Sequence, residues 1–424
     1  MPFLHPRPCD SSSQNAEWDE IGQEINFEVK NMIGLRIKIV RHAIPVVPSR
    51  WLACASFAAV ACIAVSVCTA DDRQTVTGVV ADAEGLGLAD LTVSVFPAEP
   101  AAPTNQPLAT TSSDAQGRFT ISLPTETPLL VELQGDRGRG RVRVTPDELG
   151  QPLELVYPVR TTVVLLHDND MHFNFNHREA FAAKLEQVRS EHEHVFLLNA
   201  GDIFVRVPER WNDPRPEYYA QQSRQMVDIM NSFGYDLMTL GNHELDYIED
   251  LTIAALQRAR FPLLSANVQI TTDLLPQPKP FHVLHTSHGL SIAVLGLSIA
   301  YNREGVQRLD PIDQARKYLY LREQHPLLVG LTHLGFRTDN QLAETLGTFD
   351  VIIGGHSHTM VNPAVTVNGV LIAQAAGTGS GSPAHPDRPK YLGKVTVVLE
   401  NDQVVEKSGQ VFTFTAPVQT AGEG

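Results

Sequence analysis

Five apolar runs between residues 160 and 360 each stop at side chains able to hold a metal ion, and no other feature constrains the chain as much. "TTVVLLHDNDMH" ends at Asp170 and His172, "VFLLNAGD" at Asp202, and "YDLMTLGNHE" at Asn242 and His243. "PLLVGLTHLG" ends at His333 and "DVIIGGHSH" at His356 and His358. Helical segments alternate with these runs, which is the pattern of an α/β domain. In an open α/β sheet, ligands bind beyond the carboxyl ends of the strands. Strands laid side by side would therefore bring all these donors to one place. The glycines before Asp202, Asn242 and His356 suit tight strand-to-loop turns. An extended Asp170-Met171-His172 turn is expected to aim both donors the same way and to point Asp168 elsewhere. The same extended spacing would align His356 with His358.

A lone histidine after a strand is ordinarily a satisfied surface or core residue. His167, His177, His192, His194, His282, His285, His288, His325 and His385 are read that way, since only coincidence at five strand ends outweighs the plain interpretation. Helices are expected at 179–190, with Phe181, Leu185 and Val188 on one stripe, and at 221–233, closed by Gly234. Asp310-Pro311 predicts an N-cap and first-turn proline opening a helix that runs to Pro326. A further helix, Asp339–Leu346, closes at Gly347. The Gly/Ser/Pro-rich stretch 377–390 reads as a loop.

The four cysteines, Cys9, Cys54, Cys62 and Cys68, all precede residue 69, so any later metal site must use His, Asp, Glu or Asn. The formal charge of −15 over 424 residues argues against duplex nucleic acid as a partner. Any phosphate handled here must be neutralised locally. The basic run "RGRGRVR" places Arg139, Arg141 and Arg143 on one strand face, expected to be solvated. Residues 51–70 carry no charge, with Arg36, Lys38, Arg41 and Arg50 before them and Asp71-Asp72 after. They read as a signal peptide cleaved after "CTA" or as a retained membrane anchor, with residues 1–50 as a disordered leader and Met32 as an alternative start. The charge asymmetry puts the remainder outside the cytoplasm, secreted, periplasmic or at the cell surface. Cys68 is a weaker lipoprotein candidate, because Val67 is bulkier than such sites usually take. Residues 417–424 are expected to be a disordered tail.

Residues 73–158 read as short strands broken by Gly/Pro/Asp turns, a small antiparallel sandwich. The pattern "VTGVVADAEGLGLADLTVSVF…TTSSDAQGRFTISL" resembles the carboxypeptidase-regulatory-like, transthyretin-type (Ig-like) sandwich. A spacer or docking role is expected of it.

Taken in order, "LHDNDMH", "NAGDIF", "TLGNHELDY", "LTHLG" and "VIIGGHSHT" resemble the calcineurin-like metallophosphoesterases, in the 5′-nucleotidase/UDP-sugar hydrolase branch. "FPLLSANV" and "IAVLGL" match that branch too, and the resemblance covers about 160–412 of a domain expected to span 160–416. It implies a four-layer α/β/β/α sandwich and two divalent metals, Zn, Mn, Fe or Co. It also implies that Asp170, His172, Asp202 and His358 hold one metal, and that Asp202, Asn242, His333 and His356 hold the other. His243 would be the general acid, oriented by Asp246, and Glu244 a structural residue. Phe173, Val205 and Arg206 stand where the family commonly has other residues, glycine above all. Nucleotidases of this branch also carry a C-terminal domain that grips the base, and none is expected in this chain, which weakens the case for nucleotides. Trp211, Tyr218 and Tyr219 are alternative stacking residues. The expected function is hydrolysis of nucleotides or related small phosphomonoesters outside the cytoplasm. The alternatives are a phosphodiesterase or cyclic-phosphate hydrolase, and a non-catalytic extracellular binding protein.

Overall fold

The computed structural model describes residues 73–98, 106–124, 126–205, 216–245, 250–272, 275–299, 305–377 and 388–415. The leader, the 51–70 segment, the four cysteines, Arg206, Trp211, Asp246, His385 and the tail 417–424 lie outside the described residues. Among those described, no helix is long and apolar enough to cross a membrane.

Alternation with period two builds the N-terminal module. In the strand Arg118–Pro124, Phe119, Ile121 and Leu123 point inward while the residues between them face solvent. One sheet orders Arg118–Pro124, Arg73–Ala81 and Leu153–Val156; the other orders Ala109–Ser112, Thr92–Pro97, Leu129–Gly135 and Gly138–Val144. Val76, Val93, Leu123, Val131 and Leu155 meet in one core between them. The expectation of a wholly antiparallel module needs correcting. Gly78–Ala81 runs parallel to Leu153–Val156, because the chain crosses from the four-stranded sheet through the short turn Glu148–Gly150 before its last strand enters. The arginine face is also less solvated than its pattern suggested. Glu132 sits directly opposite Arg141 in the ladder and takes its Nε at 2.9 Å, while Arg139 lies 3.7 Å from Glu132 and 3.8 Å from Asp402.

The second module holds two six-stranded sheets. The first orders Leu263–Leu264, Leu237–Thr239, His194–Asn199, Arg160–Asp168, Lys390–Glu400 and Gln403–Phe414. The second orders Phe281–His285, Ser291–Ser298, Leu327–His333, Val351–Gly354, Val370–Gln374 and Val365–Val367. The central strands of each are parallel. They are apolar on both faces, as parallel strands buried on both sides must be. Val163 and Leu165 enter a core shared with Val329, Leu331 and Ile353 of the other sheet. Val164 and Leu166, one residue out of phase, pack against Phe181 and Leu185 of the helix Arg178–Glu191 and Met226 and Met230 of the helix Pro216–Phe233. On the far side, Leu328 and Ile352 meet Leu342 and Ala343 of the helix Phe336–Leu346. Helices thus cover both outer faces and the two sheets pack on each other.

Gly234 and Gly347 take the left-handed conformation that ends helices. The helix expected from Asp310 to Pro326 is instead two short ones, Pro311–Arg316 and Leu321–Gln324. Asp310 does cap the first, accepting from the N–H groups of Ile312 and Asp313. The Lys317, Tyr318 and Leu321 N–H groups turn to carbonyls three residues back, and the tighter turns break the helix.

Asn401, in the turn of the final hairpin, joins the modules. Its Oδ1 accepts from Val159 N–H at 2.8 Å, its own N–H donates to Val159 O at 2.9 Å, and its Nδ2 donates to Arg137 O at 3.0 Å.

Candidate metal centre

The seven residues expected to hold metal come together at the carboxyl ends of the parallel strands. Three donor groups lie within 4.8 Å on all internal distances: Asp170/His172/His358, His172/Asp202/His243 and Asp202/His333/His356. Asn242 joins the last of these, its Oδ1 lying 2.9 Å from His356 Nδ1. His356 and His358 therefore face different neighbours, although two residues apart.

The backbone that achieves this is not extended, contrary to expectation. Asp170, His172, Asp202, His356 and His358 have φ of 50°, 46°, 55°, 76° and 54°. Non-glycine residues reach this left-handed region at a cost of roughly 1 kcal/mol or more each, and clusters of them mark functional sites. Reversing the chain at each donor turns two side chains, two residues apart, onto one cluster. Hydrogen bonds hold the reversals: Asp170 N–H on Gly201 O, His172 N–H on Asp202 O, and His356 N–H on Asp170 Oδ2. The three glycines, expected to serve tight turns, are needed chiefly for space, and of the three only Gly201 takes a positive φ, 86°. A Cβ on Gly241 would collide with the Asp202 carboxylate, and one on Gly201 would come within 2.7 Å of His333 Nδ1. One on Gly355 would come within 2.9 Å of the same atom.

Main-chain carbonyls fix two rings. His172 Nδ1 donates to Phe204 O at 2.9 Å and His333 Nδ1 donates to Ala200 O at 2.6 Å. Each ring then presents Nε2 to the cluster, the arrangement metal-binding histidines commonly show. His172 Nε2 lies 3.1 Å from His358 Nε2, and His358 Nε2 lies 3.1 Å from Asp170 Oδ1. His333 Nε2 is fully buried, without a hydrogen bond, 3.1 Å from Asp202 Oδ2.

Charge is concentrated accordingly. Burial alone would raise the Asp202 carboxyl, but His333, His243 and His172 hold it far below the ordinary carboxylate range. Burial opposes a charged His333, yet Asp202 and Asp170 outweigh it and lift that imidazole to about 10. Burial lowers His172 and His356, which favours the neutral form that ligates metals. Two facing imidazole nitrogens, an unbonded buried Nε2 and two carboxylates are consistent with a metal site. Nitrogen and oxygen donors without sulfur match Zn, Mn, Fe or Co.

Glu244 braces the centre. Its Oε1 accepts from Ile203 and Phe204 N–H at 2.9 and 3.2 Å, and its Oε2 from Gly241 and Asp202 N–H at 2.7 and 2.9 Å. Burial and the Asp202 carboxylate push it up to about 7, while the His333 imidazole and the N–H donors pull it back. Asn169 was not anticipated. Its Nδ2 donates to Asp170 Oδ2 at 2.5 Å and its Oδ1 accepts from Ala375 N–H. Only its place between Asp168 and Asp170 hinted at it. Asp168 points away from the cluster, to Lys390 Nζ at 2.6 Å, Tyr235 OH at 2.7 Å and Asn199 Nδ2 at 2.8 Å.

His243 reaches the centre from the side, its Nε2 3.6 Å from Asp202 Oδ2 and its N–H on Asp202 Oδ1. A cavity of about 190 Å³ is lined by Phe173, Phe175, Asn176, Arg178, Gln222 and Met226 among others, and by none of the donors above. Tyr218 and Tyr219 pack edge to face on each other at 5.4 Å. Of the histidines read as plain, His167 is buried in the core and held down to about 4 by burial, and His325 bonds Ser291.

Residues 163–360 match the sequence model of the calcineurin-like phosphoesterase family. The chain is similar to the trifunctional nucleotide phosphoesterase protein YfkN of Bacillus subtilis, at 26% identity over 58% of this chain and 18% of that protein. It is also similar to a 5′-nucleotidase of Vibrio cholerae, at 30% identity over 47% of this chain and 40% of that protein. It thus spans well under two thirds of either relative. Among solved structures it is similar to a 5′-nucleotidase precursor from Thermus thermophilus, at 26% identity and a TM-score of 0.48, covering 60% of this chain and 55% of that one.

Proposed function

From the premise that this chain is a calcineurin-like metallophosphoesterase related to 5′-nucleotidases, we propose that it hydrolyses small phosphomonoesters, nucleotides among them, with a dinuclear metal centre. The observation that carries this reading is the position of Asp202. Its carboxylate belongs to two of the donor groups, with His172 and His243 in one and with His333 and His356 in the other, as a ligand shared by two cations would. In this reading Asp170, His172 and His358 complete one site, and Asn242, His333 and His356 the other. Bound there, the two cations would polarise the phosphoryl group, supply a nucleophilic water near neutral pH and neutralise developing charge.

The chain's own residues do the rest. The carbonyls of Phe204 and Ala200 keep His172 and His333 in the tautomer that offers Nε2. Glu244 and Asn169 hold the two carboxylates in place, so little reorganisation is needed when substrate binds. His243, beside Asp202, would give a proton to the leaving oxygen, a contribution of about 10²–10⁴-fold, with Asp246 as its proposed orienting partner. The names of the relatives favour a nucleotide as substrate. The charge pattern around 51–70 supports action outside the cytoplasm, with that segment as signal or anchor. The N-terminal sandwich, on its sequence pattern, is a carboxypeptidase-regulatory-like spacer or docking module.

Assaying the purified chain with manganese or zinc against mononucleotides, an aryl phosphate and its bis-aryl diester tests this. Release of phosphate from monoesters is expected. Diester cleavage alone would make it a phosphodiesterase, and no hydrolysis of any substrate with metal present would favour a binding protein.

A further inference from the structure

A second group of donors lies at the opposite end of the strands. Glu193 precedes and His194 opens the strand His194–Asn199, and His288 sits in the turn between Phe281–His285 and Ser291–Ser298. One nitrogen or oxygen from each lies within 4.8 Å of the others. His194 is eight residues before Asp202, and six of those run along an extended strand, which sets this group on the order of 20 Å from the metal centre. We propose that Glu193, His194 and His288 form an additional cation site, taking a borderline transition metal such as zinc and tying the two sheets together at this end.

The three side chains are already arranged for it. His288 Nε2 stands 3.0 Å from Glu193 Oε1, and the Ser287 hydroxyl donates to the same oxygen at 2.6 Å. That hydroxyl orients the carboxylate as outer partners of metal ligands do. The His194 and His288 rings meet edge to face at 4.8 Å. An ion pair would account for Glu193 and His288 alone and leaves the convergence of the buried His194 unexplained. Two imidazoles this close repel when both are protonated, but as neutral donors they can share one cation. Two nitrogens and one carboxylate oxygen suit zinc, cobalt or nickel and are too few oxygens for calcium. Tetrahedral zinc with ligands at about 2.0–2.2 Å needs its donors roughly 3.4 Å apart. The Glu193 side chain, 59% exposed, is free to make that adjustment.

The frame is rigid where the ligands attach. His194 is paired to Val163 in the first sheet. The turn bearing His288 is closed by Gly289 N–H on Thr286 O and by Leu290 N–H on the Thr286 hydroxyl. The same turn touches the N-terminal module, since a Cβ on Gly289 would lie 3.0 Å from Leu130. A cation here would therefore also brace the seat of that module.

The test is a zinc count on the full chain, stripped with chelator, reloaded with zinc alone and desalted. Wild type is compared with Glu193→Gln and His288→Ala. One equivalent of zinc fewer per chain is expected in each variant, with a smaller zinc-dependent rise in unfolding temperature. Equal zinc content and an equal rise in all three would overturn the proposal. If His288→Ala fails to fold, Glu193→Gln decides, because it changes one atom of an exposed side chain. A failure of the dinuclear reading would lower the total for every protein and leave the difference of one equivalent intact.

Discussion

Replacing Glu244 with Gln changes one atom at the base of the metal centre, and its cost follows from the geometry. The carboxylate accepts two backbone N–H groups on each oxygen, from Ile203 and Phe204 on one and from Gly241 and Asp202 on the other. A glutamine must turn its own NH₂ toward one pair or the other. Either way two buried N–H donors face a third donor. An unsatisfied buried donor costs roughly 1–3 kcal/mol, so the variant should lose about 2–6 kcal/mol. That is a large share of the roughly 5–15 kcal/mol that stabilises a typical domain. Urea unfolding of the metal-free chain, followed by circular dichroism, measures it. Glu186→Gln, on an exposed position of the helix Arg178–Glu191, serves as control and should shift stability by less than about 0.5 kcal/mol. The turn also positions Asp202, so Glu244→Gln should bind less metal even where it remains folded. A variant within about 1 kcal/mol of wild type, with full metal content, would refute the argument that Glu244 holds the Asp202 turn.

Other expectations follow from single features. His243→Ala should retain its metal by elemental analysis while turnover falls by roughly 10²–10⁴; unchanged turnover would remove His243 from the mechanism. Asn242→Ala should lose the cation held with His333 and His356 while Asp170, His172 and His358 keep theirs, and two full equivalents would contradict the assignment. Gly241→Ala should reduce metal content far more than Gly150→Ala, because a Cβ at 241 meets the Asp202 carboxylate and one at 150 meets nothing within 4 Å. Burial holds the Asp339 carboxyl up to about 7, while Thr332 Oγ1 donates to it. Between its ordinary value of 3.8 and that point the folded chain keeps a proton the unfolded chain has released, so this contribution is full below pH 3.8 and is lost as pH rises through 7. With chelator present, wild type should lose up to roughly 4 kcal/mol more than Asp339→Asn between pH 4 and 8; parallel stability curves would contradict this.

The sequence made the strand ends legible because apolar runs and the residues that stop them are both local signals. The gathering of the strand-end side chains at one place and the diversion of Asp168 could be read without coordinates. The partners of Asp168 could not, because Lys390 lies 222 positions away. The carbonyls of Phe204 and Ala200 that orient two histidines were also invisible, since every residue has a carbonyl and none advertises its direction. Dipeptide spacing at 170–172 and 356–358 suggested extended chain, and the backbone is left-handed at all four of those donors. Spacing alone does not distinguish two ways of turning side chains onto one target. The helix expected through 326 misled for a similar reason, because polar and apolar residues alternate plausibly there while the hydrogen bonds tighten into turns.

Asn401 has a practical consequence for anyone wishing to study the phosphoesterase module alone. A fragment beginning at Arg160 would lose both the amide and the carbonyl of Val159 and the carbonyl of Arg137, the three groups that this one side chain and its backbone now satisfy. The buried asparagine would be left at a raw surface, next to Asp402 stripped of Arg139. Cutting between the modules is thus an injury to both, and a soluble excised domain would need a substitute at position 401 designed for water.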